Sequence, residues 1–183
     1  MVIIVDTCAI LMLLRIAPEM FSDKRFGCTT IPAIHEELQR TQKFKTKYPW
    51  RNELMHHVKV CGFSDLKKNG FDTKVKQVYD ICEYKRIYFL SRTDKLIIAT
   101  LLCIDSMLCS GDGNLVSFAK EEFEKDNKSP LELVNNWLEK GLIEWNDVRQ
   151  AVLAEWVEKE RSQPLEQIKR FENLTRYLYP KAF

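Results

Sequence analysis

Residues 3–8 read Ile-Ile-Val-Asp-Thr-Cys, three apolar β-formers running directly into an aspartate. Val2 to Val5 is uniformly apolar, the pattern of a strand covered on both faces in a parallel α/β sheet. After Cys8 the run Ala9, Ile10, Leu11, Met12, Leu13 and Leu14, closed by Ala17 and Pro18, predicts a short buried helix ended by proline. Asp6 therefore stands where a strand hands over to a helix, at the strand's carboxyl end, along which ligand sites gather in open α/β sheets. A charge ending a buried strand is costly unless something uses it. Capping the helix is one use and a functional site is the other; the choice depends on partners elsewhere in the chain.

Composition limits what those partners can serve. At 183 residues with 45% hydrophobic side chains the chain can bury a real core as one domain with room for an extension. With 30% charged residues and no run of 18 apolar ones, a soluble, cytoplasmic protein without membrane attachment is expected, and the apolar start, with Asp6 inside it and no basic residue ahead of it, is not expected to serve as a secretory leader. The six cysteines form no C-x-x-C pair and lie mostly in apolar runs, so buried thiols are expected and neither a zinc site nor a disulfide framework. Residues 1–120 carry 18 Lys and Arg against 13 Asp and Glu, and residues 121–183 carry 10 against 13, so a polyanion partner belongs to the first part.

Working outward from Asp6, "FGCTTI" (26–31) is a candidate second strand. In "IPAIHEELQR" Pro32 suits a helix's first turn. Ala33, Ile34, Glu37, Leu38 and Thr41 share one helical face, so Glu37 points along an apolar stripe, while Glu36 points away with Arg40 four residues on as a surface ion pair. From Arg40 to Lys59 basic residues, among them Lys43, Lys45, Lys47 and Arg51, interleave with Phe44, Tyr48 and Trp50. That pattern suits phosphates and unpaired bases; it suits equally a solvated helix whose aromatics pack inward. His56 and His57, about 100° apart on a helix, are not expected to share a metal. "CGFSDLKKNG" (61–70) reads as a loop between glycine breakers, and Asp72 as the cap of a helix to about Tyr84 whose core positions are Val75, Val78, Tyr79 and Cys82.

The run 91–115, "SRTDKLIIATLLCIDSMLCSGDGNL", is the most informative. Ser91 and Asp94 have capping-box spacing, and Asp94 heads the stripe Ile97, Ile98, Leu101 and Leu102 of a buried helix face. Asp105, about 16 Å further along any continuous helix, is too far to join it. "SMLCS" (106–110) is another apolar strand, and it ends in Ser110, Gly111 and Asp112, repeating the opening arrangement. Asp6, Glu37, Asp94 and Asp112 thus come from four separate elements. Four anions aimed into one cleft repel one another and need a cation. Oxygen-only ligands point to Mg²⁺ or Mn²⁺, ions suited to phosphodiester hydrolysis.

On "VDTCAI", "PAIHEEL", "LSRTDKLIIAT" and "MLCSGDGNL", in this order and spacing, the chain resembles the PIN-domain family, which includes VapC-type toxin ribonucleases. "NKSPLELV" is similar to the proline-led last helix of such domains, so the resemblance covers residues 1–140. It implies a three-layer α/β/α fold with a parallel sheet of about four to five strands, and Asp6, Glu37, Asp94 and Asp112 as catalytic, metal-binding acids with Thr7 and Ser110 as nearby hydroxyls. It also implies Mg²⁺- or Mn²⁺-dependent endoribonuclease cleavage of single-stranded RNA, frequent homodimers and, for toxins, an inhibitory antitoxin protein. Asn114 departs from it, standing where many members carry a further acid. That substitution leaves a second expectation open, a catalytically inactive PIN-like module that binds RNA or protein. A haloacid-type phosphatase fits poorly, because Cys8 stands where its second aspartate belongs; a receiver domain lacks its acidic pair.

Residues 141–183 read as a helical extension, packed on the domain or used for association. A helix from Ser129 and Pro130 closes at Gly141. A second starts at Asn146 or Asp147 with Val148, Val152 and Trp156 on one face, and a third follows Pro164 with Leu165, Ile168, Phe171 and Leu178.

Overall fold

Ile4 and Val5 are fully buried, and their strand is hydrogen-bonded on both sides, which is why its apolar run needs no alternation. The computed structural model describes residues 1–23, 25–159 and 163–181; Lys24, part of the polar stretch "SDKR" that reads as a turn in the sequence, lies outside them. In chain order the elements are β1 (Val2–Val5), α1 (Thr7–Ile16), β2 (Cys28–Thr29), α2 (Pro32–Arg40), α3 (Gln42–Lys47), α4 (Arg51–Leu54), α5 (Phe63–Lys68), α6 (Phe71–Tyr84), α7 (Arg92–Cys103), β3 (Ser106–Cys109), α8 (Gly113–Phe123), β4 (Asn127–Lys128), α9 (Pro130–Glu139), α10 (Asp147–Lys159) and α11 (Leu165–Thr175). The four strands form one all-parallel sheet in the order β2-β1-β3-β4, covered by helices in a three-layer α/β/α arrangement. Among the described residues no helix is long and apolar enough to cross a membrane.

The extension shares the domain's core. Leu153, Trp156 and Val157 of α10 and Phe171 of α11 belong to the same buried cluster as Ile4, Val5 and the apolar face of α1, and α11 lies along α9. Trp137 is buried with its indole N–H donated to the Phe26 carbonyl at 2.9 Å, and Trp145 stands edge-to-face against Phe171. Several positions expected in that core are exposed. Val148 lies in the opening turn of α10, before its buried residues begin; Leu165 is the first residue of α11; and Leu178 follows the break at Arg176, where φ is +65°.

Other differences from the sequence reading have local causes. Residues 63–68 are helical, because Leu66 buries itself and anchors the turn. The flanking glycines act at the ends, Gly70 in the left-handed region at φ +76°. Gly70, with no side chain to cap, takes the N-cap of α6, so Asp72 falls inside the first turn, where it favours the helix dipole. Tyr79 is exposed with the Lys95 ammonium over its ring, leaving Val78 and Cys82 as the buried residues of α6. Cys28, Cys82 and Cys109 are buried, but Cys8 is exposed and Cys61 and Cys103 are half-buried; none is in a disulfide. The short β4, unanticipated, adds the outer strand beside β3.

Candidate functional site

The sheet order places β2 on one side of β1 and β3 on the other, so the direction of winding reverses between β1 and β3. That switch point leaves a crevice at the strands' carboxyl ends, where open α/β sheets take ligands. Val5 pairs with Cys109, which sets Asp6 opposite Ser110. The Asp6 N–H donates to the Cys109 carbonyl at 3.2 Å, the Asp6 carboxylate accepts the Ala9 N–H on Oδ1 at 2.7 Å, and the Ser110 hydroxyl donates to Oδ2. Ser110 Oγ in turn accepts the Asp112 N–H at 2.9 Å. Asn127, which sequence reasoning missed, holds this turn: its Oδ1 accepts the Ser110 N–H at 3.1 Å and its Nδ2 donates to the Ser110 carbonyl. A lone asparagine in a two-residue strand gives no sequence signal of that role.

Asp6 is both a cap and part of a cluster of acids. It caps α1 and is 5% exposed. Burial pushes its carboxyl up to about 6; the Ser110 and Ala9 hydrogen bonds oppose that shift, and the negative charges of Asp94 and Asp112 add to it. No cation stands among these strongest influences. Asp94 and Asp112 therefore lie near enough to Asp6 for their charges to be felt, while Glu37 does not stand among its strongest influences. Each also caps its own helix. Asp94 accepts the Ser91 N–H at 2.8 Å in a full capping box, and Asp112 Oδ1 accepts the N–H groups of Asn114 and Leu115 at 2.8 and 3.2 Å. Neither cap uses Asp94 Oδ1 or Asp112 Oδ2.

Glu37 joins from α2 through a different neighbour, accepting the Thr7 hydroxyl on Oε2 at 3.1 Å. Beside it a cleft of about 250 Å³ runs between α2 and α7, lined by Glu36, Glu37, Arg40, Arg92 and Thr93. Arg92, at the first turn of α7, was not singled out by sequence. Glu36 and Arg40 form the expected surface pair at 2.5 Å. Asn114 meets this cluster through its backbone, and its side chain is exposed. Asp105 sits at the amino end of β3, on the opposite sheet edge, exposed and paired with the Met1 amine at 3.7 Å.

The basic segment after Arg40 resolves into inward and outward parts. Tyr48 is buried, Trp50 is half-buried under the Arg15 guanidinium, and Phe44 packs against the core. Arg51, expected among the outward cations, is 1% exposed and donates from Nε to the Leu38 carbonyl at 2.6 Å, tying α4 to α2. Lys43 and Lys45 remain exposed, and the Lys47 ammonium lies over the Tyr48 ring. The aromatics here are core residues, so this segment offers charge without a stacking surface.

Among the described residues no group of three or more His, Cys, Asp or Glu side chains is drawn together tightly enough to hold a metal ion as the side chains stand. The donor set is nonetheless all oxygen, arranged around a buried carboxylate held by two hydrogen bonds with no cation among its strongest influences, and it fits a hard divalent cation. No family model matches the chain, and neither does any curated protein or solved structure.

Proposed function

We propose that this chain is a PIN-like, Mg²⁺- or Mn²⁺-dependent endoribonuclease that hydrolyses single-stranded RNA. The observation that carries the reading is Asp6: a buried carboxylate at the sheet's switch point, faced by Asp94 and Asp112, with no cation among its strongest influences. Asp6, Asp94, Asp112 and Glu37 would hold the ion. When bound, such an ion offsets phosphate charge and makes a water acidic enough to attack. Ser110 fixes the Asp6 carboxylate through Oδ2 and the Asp112 backbone through its lone pair, keeping the two strand ends in register. Thr7 orients Glu37, and Arg40 and Arg92 line the adjoining cleft where a phosphate backbone would run. A toxin working as a homodimer under an inhibitory antitoxin protein is the setting that the resemblance favours.

The test is cleavage of a labelled unstructured RNA by the purified chain with Mn²⁺ and with EDTA, beside Asp112→Asn. Asparagine keeps the cap of α8, so the variant should fold normally and lose at least about a hundredfold in rate, because one of the charged groups that would hold the ion is lost. Cleavage surviving in Asp112→Asn would overturn the site assignment. A second reading, an inactive module that binds RNA or protein, is favoured by the capping duties of Asp94 and Asp112 and by Asn114; RNA binding without cleavage in any divalent ion would select it.

A further inference from the structure

The end of α6 and the segment that joins it to α7 carry the exposed aromatics that the basic segment lacks. Tyr84, Tyr88 and Phe89 are 87%, 82% and 58% exposed, a cluster of large apolar side chains held in water. Residues 84–95 also hold four basic side chains, Lys85, Arg86, Arg92 and Lys95, against the single acid Asp94.

This loop is pinned. Arg86 takes the left-handed conformation at φ +55°, the Ile87 N–H donates to the Cys82 carbonyl at 2.7 Å, and Leu90 is buried. Lys85 is fixed to Glu122 on α8 at 2.6 Å. The Ser91 N–H then donates to the carboxylate of Asp94, one of the acids facing Asp6. Phe89 lies two residues before Ser91, so its backbone is within about 8 Å of that hydrogen bond. Arg92, on the other side, lines the cleft beside Glu37.

We propose that Tyr88 and Phe89 form a base-stacking platform for single-stranded RNA, with Arg86 and Arg92 holding the phosphates, and that the platform feeds the strand past Asp94. The inference rests on the nuclease reading for its substrate. Its physical basis is separate, in two exposed aromatics on a fixed loop, cations beside them, and direct continuity with the acid cluster. Stacking is indifferent to base identity because every base offers a π-face, so the platform predicts weak sequence preference at the bases it holds. It also moves substrate recognition away from Lys43 and Lys45, whose neighbouring aromatics face the core.

Binding of fluorescein-labelled dodecauridylate, followed by anisotropy in EDTA with the Asp112→Asn background, tests it without cleavage. Tyr88→Ala/Phe89→Ala should weaken Kd at least tenfold with an unchanged melting temperature, and Tyr88→Trp/Phe89→Trp should bind as tightly as the parent; Lys43→Ala/Lys45→Ala should weaken it by less than threefold. An unchanged Kd in the alanine pair, or no binding by the parent, overturns the platform. So does a parent that is dimeric by light scattering while the alanine pair is monomeric, since the patch is then a self-association face. If the alanine pair loses RNA while the wild-type chain cuts none with Mn²⁺, the platform stands and the nuclease reading falls. If the wild type cuts with Mn²⁺ and the alanine pair cuts with unchanged KM, the nuclease stands and the platform falls.

Discussion

Asp6 and Asp112 each follow a buried strand and each cap the helix that comes next, yet Asp6 is 5% exposed while Asp112 lies open to solvent. The register explains the difference. Val5 pairs with Cys109, so the position level with Asp6 on the neighbouring strand is Ser110, and Asp112 comes two residues later, carried outward past Gly111. Two carboxylates side by side at the buried level would repel in a poor dielectric. A hydroxyl there instead donates to the one carboxylate present. The buried strand end therefore stores an electrostatic cost, and the open one supplies an acid at little cost.

The largest expected effect follows from that stored cost. Asp6→Asn keeps the cap of α1 but removes a charge whose pKa is raised from 3.8 to about 6. A carboxyl raised on folding binds its proton more tightly in the folded state. Its penalty is therefore absent below about pH 4, grows as pH rises through the interval to 6, and is complete at pH 7. At about 1.4 kcal/mol per pKa unit the ceiling is about 3 kcal/mol; an amide that pairs imperfectly with Ser110 and Ala9 returns about 1 kcal/mol of this. In EDTA at pH 7, Asp6→Asn should melt about 4–8 °C above wild type, while Asp112→Asn should melt within about 1 °C of it. The Asp6→Asn gap should close between pH 6 and pH 4. Calorimetry showing Asp6→Asn less stable at pH 7 would break the contrast between the strand ends.

That contrast also marks how far the residues could be read in order. The strands Val2–Val5 and Ser106–Cys109 are legible because their buried parts, Ile4 and Val5 in one and Met107, Leu108 and Cys109 in the other, leave apolar runs, and Asp6 and Asp94 stand out because one ends such a run and the other heads a buried helix stripe. The pairing register is not legible, since it depends on which residues end up level across the sheet: the sequence pattern equates Asp112 with Asp6, whereas Ser110 is the residue level with it. Asn127 and Arg51 were hidden for a related reason. Their partners are a backbone turn 17 residues away and a carbonyl 13 residues away, and no local pattern announces either. Interleaved aromatics and cations look alike whichever way the rings point; after Arg40 they point inward, and after Tyr84 outward.

A smaller effect tests whether the two ends work together. If one ion draws on both strands, Mn²⁺ in millimolar excess should raise the wild-type melting temperature by a few degrees, in line with about 1–2 kcal/mol for an ion at ten to thirty times its Kd. Asp6→Asn and Asp112→Asn should each lose most of that shift. A shift retained in Asp6→Asn but lost in Asp112→Asn would place the ion at the open end alone.

The smallest effect separates metal binding from capping at the open end. Asn114 is exposed beside Asp112 in the first turn of α8, where a negative charge favours the helix dipole by a few tenths of a kcal/mol to 1 kcal/mol. Asn114→Asp should therefore leave the EDTA melting temperature unchanged or raised by about 1–2 °C, despite the like charge of Asp112. With Mn²⁺ it should tighten ion binding about threefold, since one more anion contributes at a solvated edge where charges are well screened. The two readouts move independently: a gain in EDTA with no change in Mn²⁺ affinity means that position 114 serves the helix and not the ion, whereas a tighter ion with an unchanged apo melt assigns it to the site. Isothermal titration of Mn²⁺ into both proteins distinguishes them, and the second result would show that the asparagine is what keeps the open strand end weaker for metal than its acids allow.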